Sequence, residues 1–169
     1  MESSEASVKL ANEYDFIYAA VGIHPHDAKD AQSSDYDKLR AWLQGESKVV
    51  AVGEIGLDYY YDFSPKEAQR EAFVRRLQLA RETALPVIIH NRDSHADMME
   101  ILRREAQGLT GVLHCYSGSV EMARELLKMD FYLSFAGPLT YKNAAKLPVF
   151  LMAKPPQETP SHLRMLPTT

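Results

Sequence analysis

The chain has 169 residues, of which 46% are hydrophobic, and this length and composition suit one domain with a real core. The net charge of −4 and a pI near 5.9 argue against a passive nucleic-acid-binding module, which neutralises phosphates with surplus Lys and Arg. An acidic enzyme can still act on a phosphodiester if bound metal supplies the missing positive charge.

Cysteine usage and the apolar runs bear on the cellular compartment. The single cysteine, Cys115, excludes an intramolecular disulfide and fits a reducing compartment. Residues 1–7 lack the basic and apolar regions of a signal peptide. No apolar run approaches the roughly 20 residues that a membrane-spanning helix needs. These features predict a cytoplasmic protein without a membrane partner.

Short apolar runs alternate with helical patterns along the chain. The predicted strands are residues 16–23, 49–55, 86–90, 111–114 and 131–135. The predicted helices are the end of one in 7–14, then 36–43, a longer one from about 65 to 84, 94–106 and 119–129. Ser64, Pro65 and Glu67 match the N-cap, N1 and N3 positions of a capping box before the longer helix.

This alternation predicts an α/β fold with a parallel sheet that is covered on both faces, because the strands are continuously apolar. We predict a partial, open TIM-type (β/α) barrel with about five parallel strands and flanking helices, within residues 1–152. A complete barrel typically needs about 250 residues. Residues 153–169 are rich in proline and have no regular period, so an irregular or disordered tail is expected there.

Three strands lead to a potential metal ligand. Glu54, His90 and His114 each follow an apolar run, and they are separated by about one βα repeat of roughly 30 residues. Because the C-terminal ends of parallel barrel strands lie side by side, these side chains are expected to converge. Two imidazoles and a carboxylate are a typical shell for catalytic zinc. Alone, each histidine is more often a core or rim residue, but three ligands in register at strand ends favour a metal site.

Two further histidines follow the first predicted strand, at His24 and His26, one repeat before Glu54. Either imidazole could contact a substrate phosphate or assist proton transfer. The alternative is that the segment merely shapes a loop.

Four segments together resemble the signatures of TatD-type deoxyribonucleases. They are VGIHPH at 21–26, GEIGLDYY at 53–60, IIHNRD at 88–93 and HCYSGS at 114–119, and they occur in the family's order. The resemblance covers about residues 2–147. It implies a (β/α) barrel that cleaves DNA phosphodiesters, often as a 3′–5′ exonuclease on single strands, with two divalent metal ions (Mg, Mn or Zn).

The resemblance also implies roles for individual residues. Glu54, a candidate catalytic residue, would bridge the two metals, while His90 and His114 would hold one of them. His24, the other candidate catalytic residue, and His26 would lie near the substrate phosphates.

Arg92 and Asp58 complete the candidate substrate-binding residues. The planar guanidinium of Arg92 suits two phosphate oxygens, although a surface ion pair with Asp93 or Asp97 is an equal alternative. Asp58 could orient a metal-binding side chain by hydrogen bonding to it, or simply cap its loop.

The sequence departs from the family at both ends. No histidine precedes His24, where the family has His-x-His, and no Asp follows Asp130, where it has Glu-Thr-Asp. Residues 157–163 resemble that late motif only weakly. We therefore expect a chain truncated relative to the family, with one metal instead of two and with open sheet edges that invite a homo-oligomer. A truncated gene, a frameshift near residue 148 or a deliberate fragment would each explain it.

The missing ligands predict slow DNA cleavage by the 169-residue chain. In a two-metal site the ions clamp the attacking and leaving oxygens, so losing one slows the reaction by about a thousandfold or more. Metal-supplemented cleavage by this chain and by a version with the missing strands restored tests this. Equal rates would show that the ligands are misassigned or that a partner chain completes the site. A non-catalytic remnant, or a related hydrolase of a small ester or amide, is the alternative function.

Overall fold

The computed structural model describes residues 1–137, in which helices and strands alternate. The helices are α1 (Glu2–Glu13), α2 (Ser33–Gly45), α3 (Lys66–Thr83), α4 (His95–Glu105) and α5 (Val120–Lys128), with a 3₁₀ helix at Pro25–Asp30. The strands are β1 (Ala19–Val21), β2 (Val49–Asp58), β3 (Val87–Arg92), β4 (Gly111–Leu113) and β5 (Phe131–Leu133). The predicted alternation is confirmed. The predicted tail, residues 153–169, lies outside the described residues.

The five strands form one parallel sheet in the order β1-β2-β3-β4-β5. Each strand pairs with the next one along the chain, so the sheet grows in one direction without the reversal that marks a doubly wound fold. Within residues 1–137 the sheet is not closed on itself. The prediction of a partial, open (β/α) barrel is therefore confirmed.

One continuous apolar core joins the sheet to the helices that cover it. On the strands, the side chains of Val52, Leu57 and Ile89 are fully buried. They pack in the same cluster as Phe73 and Leu77 of α3, which are fully buried too. Burial of each side chain of this size contributes roughly 1.5–3 kcal/mol. This core packs β2 against α3 and β3 against α4.

The start of α3 differs from the capping box that the sequence suggested. The helix begins at Lys66, and Pro65 occupies the N-cap without a side-chain cap hydrogen bond. The buried hydroxyl of Ser64 donates to the carbonyl oxygen of His26 at 2.6 Å and accepts from the N–H of Lys29 at 3.2 Å. The capping-box prediction was wrong because this hydroxyl satisfies backbone groups of the 3₁₀ helix instead.

Strand β2 carries an irregularity beside β3. Val52 pairs with Val87. Three residues later Ile55 pairs with Ile89, although the matching step along β3 is two residues long. An extra residue of this kind interrupts the ladder and re-aims a side chain. Glu54 lies in this interval, near the end of the predicted strand 49–55, whereas β2 continues beyond it to Asp58.

Within residues 1–137, none of the helices combines the length and the apolar composition that crossing a membrane requires. The predicted cytoplasmic location stays a prediction. A homo-oligomer formed through the open sheet edges also stays a prediction.

Gly56 lies where β2 leaves no room for a side chain beside β3. Its φ is +135°, and an added Cβ would lie 2.0 Å from the carbonyl oxygen of His90. We expect Gly56→Ala to lower the free energy of unfolding by about 3 kcal/mol or more. Alanine is strained at this φ, and its Cβ would also push β3 away from β2. Urea unfolding followed by circular dichroism measures this change.

The matched control is Gly45→Ala in α2, where an added Cβ meets nothing within 4 Å. Alanine there is expected to leave the stability unchanged or raise it by about 0.5–1 kcal/mol. Equal unfolding free energies for the two variants would contradict the close strand contact at Gly56.

Candidate metal centre

His24, Glu54 and His90 bring three potential ligand atoms within 4.8 Å of one another. The three come from separate elements: His24 caps the 3₁₀ helix, Glu54 lies in the irregular part of β2, and His90 lies in β3. Two ligands of one ion, each about 2.0–2.2 Å from it, are at most about 4.4 Å apart. The group therefore needs only small side-chain shifts to hold a cation.

His90 is held between two carboxylates. Its Nε2 lies 2.9 Å from Asp58 Oδ2, and its Nδ1 lies 3.2 Å from Glu54 Oε1. Burial lowers the pKa of His90, but its hydrogen bonds to the two carboxylates outweigh burial and raise that pKa. When Nε2–H donates to Asp58, Nδ1 presents its lone pair towards Glu54. Metal-binding histidines are typically oriented in this way by a carboxylate behind them.

The carboxylate of Asp58 is 1% exposed and contacts groups on both sides. Oδ2 lies 2.9 Å from Nε2 of His26 and 2.9 Å from Nε2 of His90. Oδ1 accepts from the N–H groups of Tyr60 and Tyr61 at 3.0 and 3.1 Å. Burial raises the pKa of Asp58, but these hydrogen bonds outweigh burial and lower it. Asp58 thus orients an imidazole and also caps its loop, and its burial argues against the direct substrate contact assigned to it from sequence.

Gln69 on α3 fixes the end of β2, a role that the sequence analysis missed. Its Oε1 accepts from the N–H of Asp58 at 2.8 Å. Its Nε2 donates to the carbonyl oxygens of Asp58 and Ser64, each at 2.9 Å. The side chain is 1% exposed, so it serves three backbone groups without water. The signal in the sequence was a polar residue at a core-facing position of the helix.

The surroundings of Glu54 favour an ionised carboxylate. The hydrogen bond with His90 lowers the pKa of Glu54, and the nearby His114 and His24 lower it further, against the effect of burial. Burial lowers the pKa of His24, as do the nearby His90 and His26. An ionised carboxylate and a neutral imidazole are the forms that bind a metal.

His114, the third ligand predicted from sequence, follows β4 directly but lies outside the group of three. Its side chain is exposed, and its Nε2 lies 3.1 Å from Sγ of Cys115. It is near enough to Glu54 for its charge to lower the pKa of that carboxyl group. A metal contact by His114 stays a prediction, and the structure adds His24 to the candidate ligands.

His26 lies at the rim of the centre, against aromatic side chains. Its ring centroid is 4.8 Å from that of Phe63 and 5.5 Å from that of Tyr61. His95 does not belong to the group of three, and His162 lies outside the described residues.

Arg92, at the end of β3, stacks on two tyrosines that follow β2. Its guanidinium carbon is 3.8 Å from the ring centroid of Tyr60 and 5.0 Å from that of Tyr61. The alternative ion pair, with Asp93 or Asp97, does not form, and Asp97 pairs with Arg70 at 2.9 Å instead. Within residues 1–137 no carboxylate forms an ion pair with Arg92, so its donors remain available.

Known proteins resemble this chain both in sequence and in fold. The family model described as TatD related DNase matches residues 1–159. The uncharacterized metal-dependent hydrolase YabD of Bacillus subtilis is 51% identical over 141 residues, which are 83% of this chain and 55% of YabD. The 3′-5′ ssDNA/RNA exonuclease TatD of Cronobacter sakazakii is 41% identical over 138 residues, which are 81% of this chain and 52% of that protein.

A solved structure gives the same result. The crystal structure of YJJV, a TatD homolog from Escherichia coli K12, matches with a TM-score of 0.82 and 32% sequence identity. The match covers 91% of this chain and 60% of that one. The chain spans about half the length of the curated relatives that it matches.

The position of Asp58 behind His90 predicts an effect on metal affinity. Asp58→Asn keeps the size of the side chain but replaces the carboxylate that accepts from the imidazoles. We expect Zn²⁺ to bind about 10–100-fold more weakly, the usual effect of removing such a carboxylate. Isothermal titration calorimetry measures the affinity.

Asp97→Asn is the matched control, because Asp97 is also hydrogen-bonded but pairs with Arg70 outside the group of three. Its Zn²⁺ affinity should equal that of the unchanged chain. Thermal unfolding of both variants separates a loss of folding from a loss of affinity. An unchanged affinity in well-folded Asp58→Asn would contradict the role given to this carboxylate.

Proposed function

The chain belongs to the family described as TatD related DNase, and from this premise we propose that it is a metal-dependent hydrolase of phosphodiester bonds in single-stranded DNA. The observation that carries the proposal is the convergence of His24, Glu54 and His90 within 4.8 Å, with Asp58 behind His90. The name of the Cronobacter relative, a 3′-5′ ssDNA/RNA exonuclease, supports single strands as substrate and cleavage from the 3′ end.

We propose that His24, Glu54 and His90 hold one divalent cation. Two imidazoles and a carboxylate suit Zn²⁺ and are accepted by Mn²⁺, whereas Mg²⁺ prefers oxygen ligands. When bound, such a cation supplies Lewis acidity towards water and towards a phosphoryl oxygen. The family resemblance implies a second cation that shares Glu54. Residues 1–137 contain no second group of three ligands with this spacing.

Arg92 is proposed to position the phosphate beside this centre. Its guanidinium has no carboxylate partner within residues 1–137, and stacking on Tyr60 restrains its plane. A planar guanidinium presents paired N–H donors in a fixed geometry that matches two phosphate oxygens, whereas a lysine ammonium acts as a point charge. His26 borders the same space, with its Nε2 engaged by Asp58. In this proposal these side chains bind and orient the substrate, while His24, Glu54 and His90 hold the cation.

The proposed ligand set predicts different effects for two histidines. His24→Gln should weaken Zn²⁺ binding by about 100-fold or more, because it removes one of three ligands. His114→Gln should weaken it less than about tenfold, because this exposed side chain lies outside the close group. Calorimetric titration of both variants measures the difference. The reverse order would identify His114 as the ligand and leave His24 to the substrate.

The activity itself is tested with a 5′-labelled single-stranded oligonucleotide. With Mn²⁺ or Zn²⁺ we expect stepwise shortening from the 3′ end, and EDTA should abolish it. Glu54→Gln is the control for a contaminating nuclease, since cleavage that survives this change does not come from the centre.

The competing candidate is hydrolysis of a small ester or amide, which is compatible with the bare description of YabD as a metal-dependent hydrolase. The same cation would polarise a carbonyl oxygen in such a substrate. Turnover of p-nitrophenyl acetate that Glu54→Gln abolishes, with DNA left intact, would favour this candidate over the nuclease.

A further inference from the structure

Three aromatic side chains stand exposed beside the candidate metal centre. Tyr60, Tyr61 and Phe63, called here the aromatic ledge, are 57%, 40% and 53% exposed. They follow the end of β2 at Asp58, on the side of the sheet where the centre lies. Single exposed aromatic residues are common on protein surfaces, but a contiguous group beside a polar site marks a binding surface.

Contacts within the aromatic ledge hold it in place. The rings of Tyr61 and Phe63 are nearly parallel, at 16° with centroids 5.2 Å apart. The rings of Tyr60 and Tyr61 meet edge to face at 4.8 Å. The N–H groups of both tyrosines donate to Asp58, which fixes their backbone. A surface ordered in advance loses little conformational entropy when a ligand binds.

His26 makes the aromatic ledge continuous with the metal centre. Its ring contacts Phe63 and Tyr61, with centroids 4.8 and 5.5 Å away. Its Nε2 lies 2.9 Å from Asp58 Oδ2, the same atom that contacts His90. The imidazole of His26 therefore lies between the aromatic ledge and the side chains proposed to bind metal.

Arg92 gives the ledge a positive charge. Its guanidinium carbon lies 3.8 Å from the ring centroid of Tyr60, and no carboxylate within residues 1–137 pairs with it. Aromatic faces combined with a cation are the surface on which single-stranded nucleic acids bind, because a base stacks while the adjacent phosphate is neutralised. In a duplex the base faces are covered by neighbouring pairs, so the same surface discriminates against double strands.

We propose that the aromatic ledge is a stacking subsite for an unpaired nucleobase, adjacent to the phosphate that enters the metal centre. The inference rests on the proposed function for the identity of the substrate. It adds Tyr60, Tyr61 and Phe63 as substrate-positioning residues. It also supplies a physical reason for a preference for single strands.

Binding is measured by fluorescence anisotropy in EDTA, which prevents cleavage, with the full chain and a labelled oligothymidylate. Tyr60→Ala and Phe63→Ala should raise the Kd for this strand by between about fivefold and about 150-fold. Tyr60→Phe and Phe63→Tyr keep an aromatic face and should retain the original Kd. An abasic deoxyribose phosphate strand of equal length should bind the unchanged chain more weakly than oligothymidylate by a similar factor, because it offers no base to stack.

Tyr18→Ala is the matched control. Tyr18 is 61% exposed and has Nζ of Lys48 4.9 Å from its ring centroid, so it resembles Tyr60 in exposure and in its cationic neighbour. It directly precedes β1, however, at the opposite end of the parallel sheet from the ledge. Equal losses of affinity in Tyr18→Ala and Tyr60→Ala would overturn the proposal. Equal Kd values of the unchanged chain for the base-bearing and abasic strands would overturn it as well.

Salt dependence separates stacking from charge. Arg92→Ala should reduce the slope of log K against log salt concentration by about 0.7, the value for one phosphate contact on a single strand. Tyr60→Ala should leave that slope unchanged while lowering the affinity. A reduced slope in Tyr60→Ala would mean that its ring acts only by placing Arg92, which would overturn the stacking role.

Failure of this inference is distinguishable from failure of the proposed function. If the unchanged chain cleaves single-stranded DNA and Tyr60→Ala binds it equally well, the function stands and the subsite is refuted. If the unchanged chain neither binds nor cleaves DNA, both are refuted. Sedimentation that shows a dimer of the unchanged chain, dissociated by Tyr60→Ala, would assign the ledge to a second copy and overturn the proposal. Circular dichroism confirms that each variant is folded.

Discussion

The buried carboxylate of Asp58 is the constraint on which the candidate metal centre depends. Removing a carboxylate from water costs several kcal/mol, and only a full set of donors offsets that cost. Asp58 obtains this set from the imidazoles of His26 and His90 and from two backbone N–H groups. If the imidazoles moved away, the buried Oδ2 would lose both of these partners. Their positions follow from this requirement, and with them the direction in which Nδ1 of His90 faces Glu54.

Strand geometry places Asp58 where it can serve this role. β2 continues to Asp58 and pairs there with Arg92 of β3, because Gly56 lets the two backbones approach closely. Gln69 then binds both backbone groups of Asp58 from α3. The irregularity earlier in β2 sets the direction of Glu54 independently of this end. The carboxylate that orients His90 and the carboxylate proposed to bind metal are therefore placed by different parts of one strand.

Local patterns in the sequence were sufficient to predict the sheet but only part of the centre. Apolar runs and helical spacing are properties of short segments, so the alternation of strands and helices could be read directly. The rule that parallel strands end side by side brought Glu54 and His90 together correctly. His24 follows β1, which pairs with β2 through Val21 and Val52, so the same rule also places His24 beside Glu54, although the sequence analysis assigned it to the substrate. Ser64 satisfied every local rule for a helix cap, yet a buried contact with distant backbone groups determined its role.

The segment from Asp58 to Phe63 couples the metal centre to the aromatic ledge. One oxygen of Asp58 contacts the imidazoles, and the other accepts from the N–H groups of Tyr60 and Tyr61. A shift of the carboxylate that improves one set of contacts therefore changes the other. A cation bound by His90 would also restrain Asp58, and thereby the backbone of the two tyrosines. Coupling between binding sites is reciprocal, so any factor by which the cation tightens strand binding must equal the factor by which the strand tightens cation binding. The candidate metal centre and the aromatic ledge are thus connected through the buried carboxylate of Asp58.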